Sequence, residues 1–296
     1  MNHRHTDFQS VALPTELPGR PASGAYRRST VILSSRALLR RRLARGLLNL
    51  AAGGVTLLPA TAADAQTDEI QVYDAEINNP GVFSLQLHNN YTSIGRRQPE
   101  FAGGIVPNHT LNGVPEWALG ITDWLELGAY APVYSWTGDG RFLIDGAKLR
   151  AEFVVPHAAE RSFFYGVNFE LGFNARYWEP TRTSGEIRPI IGGRFGRVDL
   201  IVNPILDISF QGLASLDFAP ASRLAYNFSE TWAAALEHYA DYGRLKNLEP
   251  LGRQQQLLFA VVDYKSDPLS VEFGVGHGFT AASDPLVLKL ILSRDF

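Results

Sequence analysis

The chain has 296 residues, a formal net charge of -3, no Cys and one Met. Without Cys, disulfides, thiolate chemistry and lipid attachment at Cys are excluded, and without a strongly basic domain nucleic acid is not a partner. No run of about 20 apolar residues, the length a spanning helix needs, occurs in the body of the chain. A transmembrane barrel needs no such run, because its strands alternate and their mean hydropathy resembles that of a soluble protein.

Residues 1–30 are polar and mixed, rich in Pro, Arg and Ser. Arg36 to Arg45 is strongly basic, Gly46 to Leu58 is apolar, and Ala63-Asp64-Ala65 supplies a small-x-small site. This order predicts a secretory signal peptide removed after Ala65, and its long basic region allows a true start further down, at Val31. The division expected is an N-terminal extension and signal over 1–65, a polar periplasmic lead-in over 66–80, and a barrel over 81–296.

From Gly81 onward, apolar and polar residues alternate in segments separated by Gly, Pro, Asp and Ser. Side chains of a strand point to opposite faces in turn, so each segment has one apolar face. With strands of about 9–11 residues as the template, there are about twelve such segments. They are 81–91, 114–122, 124–134, 142–155, 163–174, 186–195, 198–210, 216–228, 231–241, 254–264, 269–277 and 285–296. In 163–174, Phe163, Tyr165, Val167, Phe169, Leu171 and Phe173 oppose Phe164, Gly166, Asn168, Glu170, Gly172 and Asn174. Segment 254–264 is apolar on both faces, and Pro189 and Pro204 weaken the sixth and seventh segments because Pro cannot donate to a ladder.

The connections alternate as well. Short ones follow even-numbered segments, at Thr122-Asp123, His157 to Arg161, Gly196-Arg197, Asn227 to Thr231 and Ser266 to Pro268. Longer ones follow most odd-numbered segments. Short periplasmic turns and long outer loops are the pattern of an outer-membrane barrel, and closure removes the edge strands of a large sheet. The fold class expected is therefore all-β: a transmembrane, antiparallel, up-and-down β-barrel in the bacterial outer membrane.

In lipid the backbone must satisfy itself, the outside must be apolar and the inside can be polar. Lys148, Arg150, Glu152, Glu170, Arg188, Arg194, Asp199, Asp207 and Glu237 all fall opposite the apolar face. They are the candidate pore-lining residues. Two roles stay open: lining a constricted aqueous path, or filling the interior as ion pairs. As a set, Trp117, Trp124, Tyr134, Trp178, Phe195, Trp232 and Phe296 suit interfacial girdles, while any one of them taken singly is better read as core packing. Inward glycines at 146, 166, 172, 192, 274 and 276 give room where the walls converge.

Three stretches carry a family resemblance: Leu119 to Gly128, Val202-Asn203-Pro204-Ile205-Leu206-Asp207, and Leu290 to Phe296. From about Glu116 to Phe296 the chain resembles proteobacterial outer-membrane barrels grouped as the phenol-degradation meta-pathway outer-membrane family. The terminal strand ending on an aromatic, Phe296, is similar to the closing strand of such barrels. It departs from them at Arg294, where the third position from the end is usually aromatic or aliphatic. The resemblance implies an outer-membrane location, contact with outer-membrane lipid, insertion by the barrel-assembly machinery through the last strand, and passage or binding of small solutes.

No cofactor motif is present, and the seven His residues are too scattered for a metal site. A lipid-modifying enzyme needs a Ser-His pair, for which His88 with Ser84 and His277 with Ser283 are candidates. Gly-x-Ser-x-Gly does not occur. The sequence favours a non-enzymatic narrow channel or solute-binding barrel, with a lipid-modifying enzyme or a structural or adhesive barrel as alternatives.

Overall fold

The period-two alternation closes into a ring. The structure, a computed structural model, describes residues 69–296; the expected signal peptide lies outside the described residues. Twelve antiparallel strands form the barrel. They are β1 (Phe83–Ile94), β2 (Thr110–Thr122), β3 (Leu125–Tyr130, resuming as Tyr134–Trp136), β4 (Phe142–Ile144 and Ala147–Val154), β5 (Phe163–Phe173) and β6 (Thr183–Phe195). The remainder are β7 (Val198–Asn203 and Leu206–Ile208), β8 (Leu216–Phe218 and Ala221–Asn227), β9 (Trp232–Asp241), β10 (Gln255–Tyr264), β11 (Ser270–Gly278) and β12 (Leu286–Asp295). Every segment anticipated from the alternation corresponds to one of these strands. Pro189 is tolerated inside β6, opposite Val167, whereas Pro204 falls at the break in β7.

β1 pairs with both β2 and β12, so no edge is left open. The seam runs from Ser84 opposite Asp295 to Thr92 opposite Val287, and the Phe296 amide donates to the Phe83 carbonyl at 2.7 Å. Both ends of the ring sequence thus meet at the end that carries the short turns, which is the periplasmic end. There Phe83 lies against Trp117 and Phe296, Trp124 against Phe153, and Trp232 against Tyr264. Arg294 stacks over the Phe296 ring at 5.0 Å, which lets a cation occupy the outer face near the interface.

The two faces are distinct at adjacent positions. Leu149 is 56% exposed on the outside, while Arg150 is 6% exposed within. Trp178 corrects the expected girdle: it turns inward, packs on Val114, Tyr130 and Val133, and its indole N–H donates to the buried Ser135 hydroxyl at 2.7 Å. A polar partner inside outweighs an interfacial position.

The lead-in is the main departure from expectation. The sequence places 66–80 in the periplasm, but residues 69–78 thread the barrel interior. Ile70, Val72, Tyr73 and Ala75 are all buried there. Ile70 packs with Ala225, Ala235, Phe259, Val261 and Val287. Val72, Tyr73 and Ala75 pack with Val154, Phe164, Ile190 and Ile201. Burying each of the larger apolar side chains contributes about 1.5–3 kcal/mol. The threaded segment also explains why β10 is apolar on both faces: Phe259 and Val261 meet Ile70, while Ala260 and Val262 face outward. Two inward rings lie over positions that lack a side chain. A Cβ at Gly192 would enter the Phe164 ring, and one at Gly276 the Phe259 ring.

Candidate functional site

Because even or odd positions of each strand project together, the interior collects charges from strands distant in sequence. Arg150 on β4 sits at the centre of one cluster. Its Nε donates to Glu116 at 2.5 Å, one terminal nitrogen to Glu126 at 2.5 Å and the other to Glu152 at 3.0 Å. His88 Nε2 lies 2.9 Å from the second Glu116 oxygen. One planar guanidinium thus holds three carboxylates from three strands, a fork geometry that an ammonium does not offer. A second cluster joins Lys289 of β12 to Glu237 and to Glu272, the latter at 2.6 Å. Arg223 of β8 pairs with Glu237 and Asp263, and the Tyr239 hydroxyl donates to Glu237 at 2.7 Å.

The threaded segment ties these clusters together. Glu69 lies 3.2 Å from Lys148 and 3.5 Å from Arg188. Arg188 stacks on the Tyr73 ring at 4.3 Å and donates to the Gln71 carbonyl at 3.3 Å. Asn203 treats Tyr73 as a neighbouring strand would: the Tyr73 amide donates to Asn203 Oδ1 at 2.8 Å, and Asn203 Nδ2 donates to the Tyr73 carbonyl at 3.0 Å. Lys289 donates to the Ile70 carbonyl at 3.3 Å. Nearer the periplasm, Glu76 reaches Arg194 at 3.2 Å and Lys265 at 3.4 Å, and the Asn78 amide donates to Glu126 at 2.7 Å. Glu76 holds the Lys265 ammonium above the usual lysine range.

The nine candidates from the sequence all face inward, but they do not form one constellation. Lys148, Arg150, Glu152, Arg188 and Glu237 belong to the buried ion-pair clusters. Glu170 lies 3.6 Å from Lys148. Arg194 and Asp199 stand apart, near the short turn between β6 and β7. Arg194 donates to the carbonyls of Ala158 and Arg161, and Asp199 accepts from Asn227 at 2.8 Å. Asp207 lines a cavity of about 110 Å³ at the loop end, together with Glu69, Lys148, Glu170, Glu186 and Arg188. Sequence reasoning omitted Glu116, Glu126, Arg223, Asp263, Glu272 and Lys289 from the site, although the same alternation turns each of them inward. Glu69 carried no such signal, since it precedes the first strand.

The two proposed Ser-His pairs do not assemble. His88 faces Glu116, while Ser84 accepts from Asn78 at 2.7 Å. His277 lies on the outer face with Nδ1 2.9 Å from the Pro285 carbonyl, and the Ser283 hydroxyl lies between Gln256 and Thr280.

A closed antiparallel ring, apolar outside and charged within, is an outer-membrane β-barrel, and its place is the bacterial outer membrane. No family model matches the chain, and no curated protein matches its sequence. Among solved structures it is similar to an outer membrane channel from Pseudomonas putida F1, with a TM-score of 0.51 and 14% identity over 77% of this chain and 100% of that one. The NanC porin gives 0.46 at 6% identity, covering 72% and 98%. The translocator domain of the autotransporter NalP from Neisseria meningitidis gives 0.43 at 10% identity, covering 88% and 96%. At 14% identity the likeness to the Pseudomonas putida F1 channel is one of fold.

Proposed function

We propose that this barrel is a narrow, non-enzymatic channel or binding protein for small solutes, constricted by its own residues 69–78. The observation that carries the reading is the threaded segment, which divides a polar lumen. On the outer side it leaves the cavity lined by Glu69, Lys148, Arg188 and Asp207. Toward the periplasm it leaves smaller hollows on either side of Asp74 and Glu76. Barrels of eight strands are just filled by side chains and those of 16–18 hold open channels, so twelve strands around one extra segment leave only small openings. Lys148, Arg150, Glu152, Glu170, Arg188, Arg194, Asp199, Asp207 and Glu237 then act as both lining and filling. Polar atoms already engaged at the constriction hold the segment, and those facing the hollows meet solute.

Kinship with the phenol-degradation meta-pathway outer-membrane family belongs to the same proposal. Its support is the β2–β3 hairpin over 119–128, the β7 stretch 202–207 and the closing strand to Phe296. Contact of the outer wall with lipid, and recognition of β12 and Phe296 by the barrel-assembly machinery, are proposed with it.

Purified barrel in planar bilayers is expected to show small discrete current steps. A chain lacking residues 69–78, and separately Asn203→Ala, are expected to raise the step size. A folded barrel that carries no current, or a step size unmoved by both changes, overturns the reading.

A further inference from the structure

The outer cavity contains a row of like charges that the ion-pair clusters do not account for. Strand register places Glu170 of β5 opposite Glu186 of β6, Glu186 opposite Asp207 of β7, and Asp207 opposite Asp217 of β8. Four carboxylates therefore stand side by side on four adjacent strands, all lining one cavity. Like charges directly opposite each other destabilise a sheet. Half of the row is compensated. Arg188 donates to both oxygens of Glu186, at 2.6 and 3.0 Å, and Lys148 lies 3.6 Å from Glu170. The other half is compensated less: Asp207 has no side-chain hydrogen bond or ion pair among the described residues, and only the longer-range attraction of Arg188 offsets its acidic neighbours. Asp217 is 5% exposed, lines the cavity, and its Oδ1 has no hydrogen-bond partner. Arg244, bridged to Asp217 through the backbone, has an exposed side chain that attracts Asp217 without forming an ion pair with it. A buried carboxylate oxygen without a partner costs free energy unless something fills the gap.

The geometry points to a small organic cation carrying a primary ammonium as the ligand of Asp207 and Asp217, an inference that rests on the solute-binding reading above and names its solute class. Neighbouring strands lie about 4.7–4.9 Å apart, so one ammonium, with three donors, reaches both carboxylates. Ile205, Ala219 and Ala240 also line the cavity, which suits a short hydrocarbon body behind the charge. A divalent metal fits less well. Hard cations need several oxygens converging on one point, and among the described residues no group of three or more acidic or His side chains does so.

The test is calorimetric titration of the full barrel in detergent micelles with n-butylammonium, n-butanol and n-butyrate. Saturable binding of n-butylammonium alone is expected, at least tenfold weaker in Asp207→Asn/Asp217→Asn. Heat-dependent gel mobility reports folding, and Asp217→Asn alone, expected to weaken binding in the same direction, serves if the double variant does not fold. Equal binding of butanol, undiminished binding in the folded variants, or Ca²⁺ binding that displaces the amine overturns the inference. Binding in micelles needs no conduction. A barrel that conducts but does not bind the amine overturns this inference alone, and one that binds but never conducts overturns the channel alone.

Discussion

The waist of the barrel and its outer cavity are built from the same inward alternation, yet they treat charge in opposite ways. At the waist each cation is surrounded: Arg150 holds three carboxylates, and Lys289 and Arg223 share Glu237. In the outer cavity the carboxylates are stacked on adjacent strands and two of the four, Asp207 and Asp217, make no ion pair. Both regions are lined by residues of one polarity pattern, so the difference lies in register and in the threaded segment, whose Tyr73 ring meets Arg150 at the waist on one side and Arg188 of the cavity on the other. Position along the strand decides whether an inward charge holds the fold or faces a solute.

Substitutions sharpen the contrast, and the sign of the effect matters more than its size. Arg150→Ala would leave three carboxylates buried without their cation and is expected to cost about 3–5 kcal/mol in denaturant unfolding of the refolded barrel. An unchanged midpoint would mean that water already screens the waist. One residue away on the same strand, Leu149→Arg turns a charge toward lipid and is expected to cost about 2–4 kcal/mol by the same measurement in vesicles. Asn203→Ala removes both hydrogen bonds to the Tyr73 backbone and is expected to cost about 1–3 kcal/mol. Its more specific signature is faster amide exchange at Tyr73 with little change in β6 and β9. In the outer cavity the sign should reverse. Asp217→Asn relieves repulsion in the row and is expected to stabilise the empty barrel by about 0.2–1 kcal/mol. Destabilisation there would erase the distinction between the two regions.

The ring was legible in the sequence because a period of two is a local signal, repeated twelve times. Trp117, Leu149 and Phe163 betray the outer face one residue at a time, and short turns such as Gly196-Arg197 give the direction. Charges on the inner face followed from the same parity, including Arg150 and Glu237. The partners of those charges did not follow, since parity says nothing of which strands meet across a lumen. The threaded segment was hidden for a further reason. Ile70, Val72 and Tyr73 form no ladder of their own and are held by side chains, above all Asn203, 130 positions away from Tyr73. A short mixed stretch with no strand partner reads as a tether until the space that receives it is known. Trp178 leaves the aromatic girdle on the same ground: its indole found a buried hydroxyl on a strand that its own loop does not adjoin.

The Ile70 carbonyl accepts from Lys289, a residue 219 positions further on. Lys289 stands on the strand that seals the seam, so the filling of the barrel cannot be completed before its wall is. Contacts between such remote stretches are slow to form because a long loop must close first. The earliest-made part of this domain therefore completes its contacts only once the last-made strand is in place.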